Sequence, residues 1–334
     1  MKNVLLPRSL ADLWRHWENE PGAAVYAGGT DLLVKMRRGA VKPSALICLE
    51  RVEELQGVEK EGGFIRIGSC ATHAQILESS LIRKHLPILA RAIEVLGSPL
   101  IRNMGTIGGN LCLETRCHWY NQSDFWRKSL GGCLKLKVPD AFAGKDGPIC
   151  HVAPGGKFCW AAWSGDAAPA LLTLDAEIEI AGPAGARRIP LARFYKNDGM
   201  DRIALGRDEL LTAVHIPARM AGRRGNYHKL RVRNSIDYPL AGVAVSMDVD
   251  SLGICRDARL ALTAVNPAPL LVKEAGDWLV GQAASPELME RVAQAAIRTA
   301  KPLTTSGSTP VYRRDMVRVF TRRALEDAWR NSAS

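Results

Sequence analysis

A glycine pair placed directly at the end of a short apolar strand restricts the fold of this chain more than any other feature. Ala23 to Ala27 reads as a strand and runs without a linker into Gly28-Gly29-Thr30-Asp31. An apolar helical stretch follows, Leu32-Leu33-Val34-Lys35-Met36, which Gly39 stops. A second strand is expected over Ala45 to Leu49. Upstream, Ser9-Leu-Ala-Asp12 opens a helix like a capping box with Asp in place of Glu, and Leu10, Leu13, Trp14 and Trp17 lay one apolar stripe along it.

Strand and helix continue to alternate. Phe64 to Gly68 reads as a strand, Thr72 to Leu77 and Leu81 to Leu96 as helices, and Gly97-Ser98-Pro99 breaks the pattern before a second glycine-rich segment, Gly105 to Asn110. Periodicity dissolves from Arg116 to Cys159, a tract that looks inserted, and returns with a helix over Ala167 to Leu174 and a strand over Ala176 to Ile180. After the polar link Ala218 to Arg224, strands are expected over Tyr227 to Val232, Ala241 to Val249 and Ala258 to Val265. Two helices end the chain, the first capped by Ser285 with Pro286 at its first position, the second running from about Tyr312 to Trp329. This last third reads as a separate α+β domain.

Composition narrows the function classes. The chain has 334 residues with 47% hydrophobic content, enough for two or three packed domains. Met1 to Leu10 has no apolar core of a signal peptide, and no window reaches the roughly 18 to 20 apolar residues of a membrane span, so a soluble cytoplasmic protein is expected. The formal net charge of +11 is scattered and carries no nucleic-acid motif, which favours a solvated basic surface that meets acidic partners. Eight cysteines are many for a reducing compartment. Cys117, Cys133, Cys150 and Cys159 share one tract and point to metal before disulfides.

Both glycine segments, Ala27-Gly-Gly-Thr-Asp-Leu32 and Gly105-Thr-Ile-Gly-Gly-Asn110, have backbone amides that no side chain shields, suited to a pyrophosphate. Neither is a Walker loop or a G-x-G-x-x-G fingerprint, and taken singly each is more often an ordinary tight turn. Taken together, with Ile101-Arg-Asn-Met-Gly-Thr-Ile-Gly-Gly-Asn-Leu111 at this distance from the first segment and Gly165-Asp166 before an apolar helix, the chain resembles the FAD-binding subunits of the xanthine dehydrogenase and carbon monoxide dehydrogenase family along essentially its whole length. The resemblance implies an α+β fold. A two-part FAD-binding domain of the vanillyl-alcohol-oxidase/PCMH type would occupy 1–55 and 56–222, with an insertion at about 114–160. An α+β domain of the CO dehydrogenase flavoprotein type would occupy 223–334. It also implies FAD contacts at Ala27, Gly28, Gly29, Thr30, Asp31, Leu32, Arg102, Asn103, Thr106, Gly109, Asn110 and Asp166, with Lys229 and Asp237 approaching from the C-terminal domain. For those last two, an edge strand with solvated charges is the competing reading.

The four clustered cysteines lack the C-x2-C knuckles usual for zinc, whereas a cubane needs four thiolates at almost any spacing. The segments Arg116-Cys117-His-Trp-Tyr, Gly132-Cys133-Leu-Lys135, Cys150-His-Val152 and Gly155-Gly-Lys-Phe-Cys159 resemble the insertion that binds a [4Fe-4S] cluster in 4-hydroxybenzoyl-CoA reductase, although the gap from Cys133 to Cys150 is longer here. Cys117, Cys133, Cys150 and Cys159 are therefore the expected ligands, with Cys112 packing near the flavin. His118 and His151 are either tuning groups or plain loop residues. Basic residues outnumber acidic ones seven to three between Arg116 and Lys157, which suggests docking of an acidic ferredoxin around Lys135 and Lys137.

The expected function is electron transfer between a ferredoxin-like partner, [4Fe-4S], FAD and the [2Fe-2S] centres of a small partner subunit. A molybdenum-cofactor large subunit would hold the substrate, and no catalytic residue is expected in this chain. By resemblance the assembly is a dimer of heterotrimers that removes the ring hydroxyl of 4-hydroxybenzoyl-CoA. Two alternatives remain: a subunit of an aldehyde or N-heterocycle oxidoreductase with outward electron flow, and a zinc-bound structural or nucleic-acid-binding module.

Overall fold

The computed structural model describes residues 3–136, 139, 141 and 147–330. Among them the first helix is Leu10–Asn19, started by extended Ser9, whose hydroxyl accepts the Asp12 amide at 3.1 Å. Its stripe is used as expected: Leu13 is fully buried, and Leu10, Trp14 and Trp17 pack beside it. The helix lies on a three-stranded parallel sheet ordered Val4–Leu5, Leu46–Cys48, Ala24–Tyr26. The last of these strands delivers the chain into the first glycine loop, and Leu32–Arg37 is the short helix beyond it.

A five-stranded antiparallel sheet forms the second layer, ordered Val58–Glu61, Phe64–Gly68, Leu210–Pro217, Glu177–Gly182, Gly185–Pro190. Three of these strands have no signal in the sequence pattern. Val58–Glu61 and Gly185–Pro190 are exposed edges, and Leu210–Pro217 is a central strand buried along almost all of its length, so none shows in/out alternation. The single helix expected over Leu81 to Leu96 is two, Ser80–His85 and Pro87–Glu94. Pro87 has no amide to donate, and Leu86 turns out of helical geometry at φ −131°.

The C-terminal part is a four-stranded antiparallel sheet ordered Leu270–Leu271, Cys255–Thr263, Ala241–Val249, Arg224–Leu230. One face of it, with Val243, Val245, Met247, Leu260 and Leu262, packs on the helices Pro286–Thr299 and Pro310–Arg330. From the other face Tyr227, Ala244 and Ala261 enter the central core beside the helix Ala167–Thr173. A further helix, Lys273–Leu279, was not expected from the sequence. Among the described residues no helix is long and apolar enough to cross a membrane.

The two halves are tied by a buried ion pair. Lys229 Nζ donates to Asp166 Oδ2 at 2.9 Å and to the Val95 carbonyl at 3.0 Å, while Tyr227 Oη donates to Asp166 Oδ1 at 2.8 Å. Both ionic side chains are at most 5% exposed. Burial raises the Asp166 carboxyl, and Lys229 and Tyr227 oppose that rise.

Removing one partner of such a pair leaves an uncompensated buried charge. Lys229→Met is expected to lower unfolding stability by about 3–5 kcal/mol. The Asp166→Leu/Lys229→Met double variant should lose less than the single one. Urea unfolding of the three proteins checks this, and a double variant weaker than Lys229→Met contradicts it.

Candidate functional site

Between the parallel sheet, the second glycine segment and the loops after Ser164, Arg202 and Arg233 lies a cavity of about 570 Å³. The first glycine loop forms one wall. Among the described residues, the amides of Gly28, Gly29, Thr30, Asp31 and Leu32 donate to no protein acceptor, although all five residues line the cavity. Five consecutive free amides beside a cavity form an anion cradle. The Asp31 carboxylate does not oppose an anion there, because Lys35 at 2.8 Å and Arg116 neutralise it.

The second segment plays a different part from the one its glycines suggest. Thr106 caps the helix Ile107–Leu111 by accepting the Gly109 amide at 3.2 Å. The amides of Ile107 and Gly108 donate to the carbonyls of Ala71 and Ser69 at 3.0 and 2.9 Å. Two of its amides thus hold the segment against Ala71 and Ser69, those of Gly105, Gly109 and Asn110 bond within the local turns, and it serves as a wall. The two segments touch at Gly28, where an added Cβ would lie 1.6 Å from the Met104 carbonyl oxygen. Nothing larger than glycine fits.

Of the residues expected at the cofactor, Ala27, Gly28, Gly29, Thr30, Asp31, Leu32, Thr106, Gly109, Asn110, Asp166 and Asp237 line this cavity. Three of the expected residues lie elsewhere. Lys229 is withdrawn into its pair with Asp166, Arg102 donates to the Leu96 carbonyl at 2.9 Å, and Asn103 faces solvent; none of them lines the cavity. Asp237 is held by Arg233, and Tyr238 beside it stacks under Arg116 at 5.5 Å. No pattern in the sequence points to Ser69, Cys70, His73, Arg202, Leu205 to Arg207 or Glu209 to Leu211, which reach the cavity only through tertiary packing. Ser69 Oγ and His73 Nδ1 are buried without a hydrogen-bond partner in the protein. Burial drives His73 down to about 4, with the Arg102 charge adding to the effect, so its ring is neutral.

The cysteine tract is an insertion pinched at its base, where Arg116 and Ala162 exchange hydrogen bonds at 2.8 Å in both directions. It contains a helix, Asp124–Ser129, capped by Ser123. Cys117, Cys133, Cys150 and Cys159 are all buried and reduced, and all four line one small pocket with Trp119, Tyr120, Lys135 and His151. Among the described residues no group of His, Cys, Asp or Glu is set to hold a single metal ion. Four thiols around a shared apolar pocket, with no carboxylate among them, suit a polynuclear cluster, whose ligands stand further apart than those of one ion. Burial pushes the Cys159 thiol up to about 11 and raises Cys117, so these groups ionise only against a bound cationic centre. Cys112 lines the large cavity instead. His118 is exposed, whereas His151 stacks on Trp119 at 4.7 Å and meets the Gly132 carbonyl at 2.6 Å.

Of the basic residues expected to form a docking face on this tract, three are turned inward, while Lys157 is exposed. Lys135 is buried on Glu114 at 2.6 Å, Arg127 turns inward to the Tyr120 and Gln122 carbonyls, and Arg116 is bound to Asp31. Lys137, Lys145, Asp140 and Asp146 lie outside the described residues.

Residues 1–219 match the family model for the FAD binding domain in molybdopterin dehydrogenase, and residues 226–328 match that for the CO dehydrogenase flavoprotein C-terminal domain. The chain is 32% identical over 276 residues to the aldehyde oxidoreductase FAD-binding subunit of Escherichia coli (strain K12), covering 79% of this chain and 81% of that one. It is 25% identical over 322 residues to a xanthine dehydrogenase FAD-binding subunit of Escherichia coli O157:H7, covering 96% and 93%. A chain of the reconstituted CO dehydrogenase from Oligotropha carboxidovorans superposes with a TM-score of 0.79 at 26% identity, covering 99% of both.

The depressed His73 gives a pH prediction. An unfolded chain protonates this ring as pH falls through 6.5, and the folded chain does so only near 4. The contribution to stability is thus whole above 6.5 and drains away between 6.5 and 4, to an extent on the order of 3 kcal/mol. Melting temperature against pH should be flatter across this window in His73→Asn than in the parent chain.

Proposed function

The chain belongs to the FAD-binding medium subunits of the xanthine dehydrogenase and CO dehydrogenase family of molybdenum hydroxylases, and from that premise we propose that it is a two-carrier electron relay, with FAD in the large cavity and a [4Fe-4S] cluster on Cys117, Cys133, Cys150 and Cys159. The row of free amides from Gly28 to Leu32 carries the flavin half of this reading, since free backbone donors lining a cavity suit an anionic occupant such as a pyrophosphate.

Bound there, FAD supplies a carrier that takes one or two electrons, and a cluster on the four thiolates supplies a one-electron carrier. The chain's own residues bind and insulate. The first loop holds the pyrophosphate, while Lys35 and Arg116 keep Asp31 from repelling it. Thr106, Gly109 and Asn110 form the opposite wall, and Asn110 Oδ1 accepts the Ala167 amide at 3.3 Å, which fixes that wall to the Asp166 helix. Asp237 and Tyr238 close the cavity from the C-terminal half. The partner subunits in this proposal are a molybdenum-cofactor large subunit and a small [2Fe-2S] subunit, assembled as a dimer of heterotrimers, with a ferredoxin-like external carrier.

For the substrate of the whole enzyme, the wording of the cysteine tract supports reductive dehydroxylation of 4-hydroxybenzoyl-CoA. The 32% identity to an aldehyde oxidoreductase subunit supports a second reading, oxidation of an aldehyde or N-heterocycle with outward electron flow. Anaerobic addition of an aldehyde to the purified assembly separates them, because bleaching of the flavin band follows only in the second.

Two variants test the cofactors. Gly28→Ala should abolish FAD retention, because the added methyl group has to push the two glycine segments apart. Cys133→Ser should lose its iron and sulfide and keep its FAD, as read by flavin release and metal counts after anaerobic purification. Flavin retained by Gly28→Ala, or iron retained by Cys133→Ser, overturns the corresponding half.

A further inference from the structure

A partly buried cluster of charge joins the two cavities. Glu114 sits at its centre, 2.6 Å from Lys135 Nζ, 3.4 Å from Arg202 Nε and 3.6 Å from Lys35 Nζ, and Lys35 continues to Asp31 at 2.8 Å. Arg202 and Asp31 line the large cavity, and Lys135 lines the cysteine pocket. Burial works to raise the Glu114 carboxyl, but the Lys135 and Arg202 charges outweigh it and hold the group at about 2, so it is anionic at any working pH.

Lys135 is placed by more than its carboxylate. Its ammonium also donates to the Gly199 carbonyl at 2.7 Å and to Thr115, and it lies 5.0 Å from the centre of the Tyr120 ring. Gly199 in turn donates its amide to the Cys159 carbonyl at 2.8 Å, and a Cβ on it would come within 2.7 Å of Cys159 Sγ. The ammonium is therefore tied to Cys159 through Gly199 and lines the same pocket as the four thiols, in a largely buried setting where a point charge acts with little screening. The side chain is only 8% exposed, so no external partner reaches it.

We propose that the Glu114–Lys135 pair is a positioning and tuning element that sets the one-electron potential at the four-cysteine site, Lys135 raising it and Glu114 limiting the rise; this rests on the cluster assignment made above. An added electron makes the site more negative, so a fixed cation beside a ligand sulfur favours the reduced state and the nearby anion disfavours it. No bond forms or breaks in this couple. In the test below, dithionite supplies the electron through mediators.

The experiment is a potentiometric titration followed by electron paramagnetic resonance on the anaerobically purified assembly, with iron and sulfide counted on every sample. Lys135→Met should need a more reducing potential, with the reduced-to-oxidised ratio falling about tenfold at fixed potential, which is about 59 mV for one electron. Glu114→Gln should shift the ratio the opposite way, and Lys135→Arg should stay near the parent value. Opposite signs distinguish tuning from a structural role, which would move both variants together. Should Lys135→Met lose its iron, the sign of Glu114→Gln decides. Iron present in all samples with unmoved potentials, or with shifts of one sign, overturns the tuning role and leaves the cluster reading standing. A parent assembly with no iron in this subunit overturns both.

Discussion

The structure depends on one close approach, that of Gly28 to the Met104 carbonyl. A methyl group there would sit 1.6 Å from the oxygen, well inside any allowed contact. Because the two backbones meet at this point, the parallel sheet carrying the first loop and the helical layer carrying the second can enclose a cavity between them. The division of labour follows. The second segment's Ile107 and Gly108 amides hold it to Ala71 and Ser69 and make it a wall, while the first segment's amides meet no protein acceptor.

A second constraint fixes the far side. The four-stranded sheet is apolar on both faces, so it must be covered twice, by its own helices on one face and by the central core on the other. The Asp166–Lys229 pair forms within that second contact. A buried pair of this kind adds little net stability, yet it is costly to mispair, so it fixes the register in which the Ile236–Tyr238 turn reaches the cavity.

Among its described residues the cysteine tract has little regular structure, and polar ties hold them in place. It is closed at Arg116 and Ala162, docked through the His118 amide on the Thr305 carbonyl at 2.9 Å, and anchored by Lys135 on Glu114. That anchorage explains why a lysine in a glycine-rich stretch is no surface charge. The same ties place a cation where it acts on the cysteine pocket and connect that pocket to the wall of the large cavity.

The sequence by itself determined what local chemistry determines. Capped helices such as those after Ser9 and Ser285, the two glycine segments and the four clustered thiols were legible because capping, close backbone approach and metal ligation each need particular residue types at fixed places. The edge strands Val58–Glu61 and Gly185–Pro190 and the central strand Leu210–Pro217 were not legible, since the alternation that marks a strand requires one buried face and one wet face. Only the tertiary structure decided where the charges went. Along the chain Lys229 reads as a flavin contact or a solvated edge charge and Lys135 as a docking group, and both are buried because a carboxylate from a distant segment meets each of them. Such a pairing depends on which elements become neighbours, and a linear pattern holds no record of that.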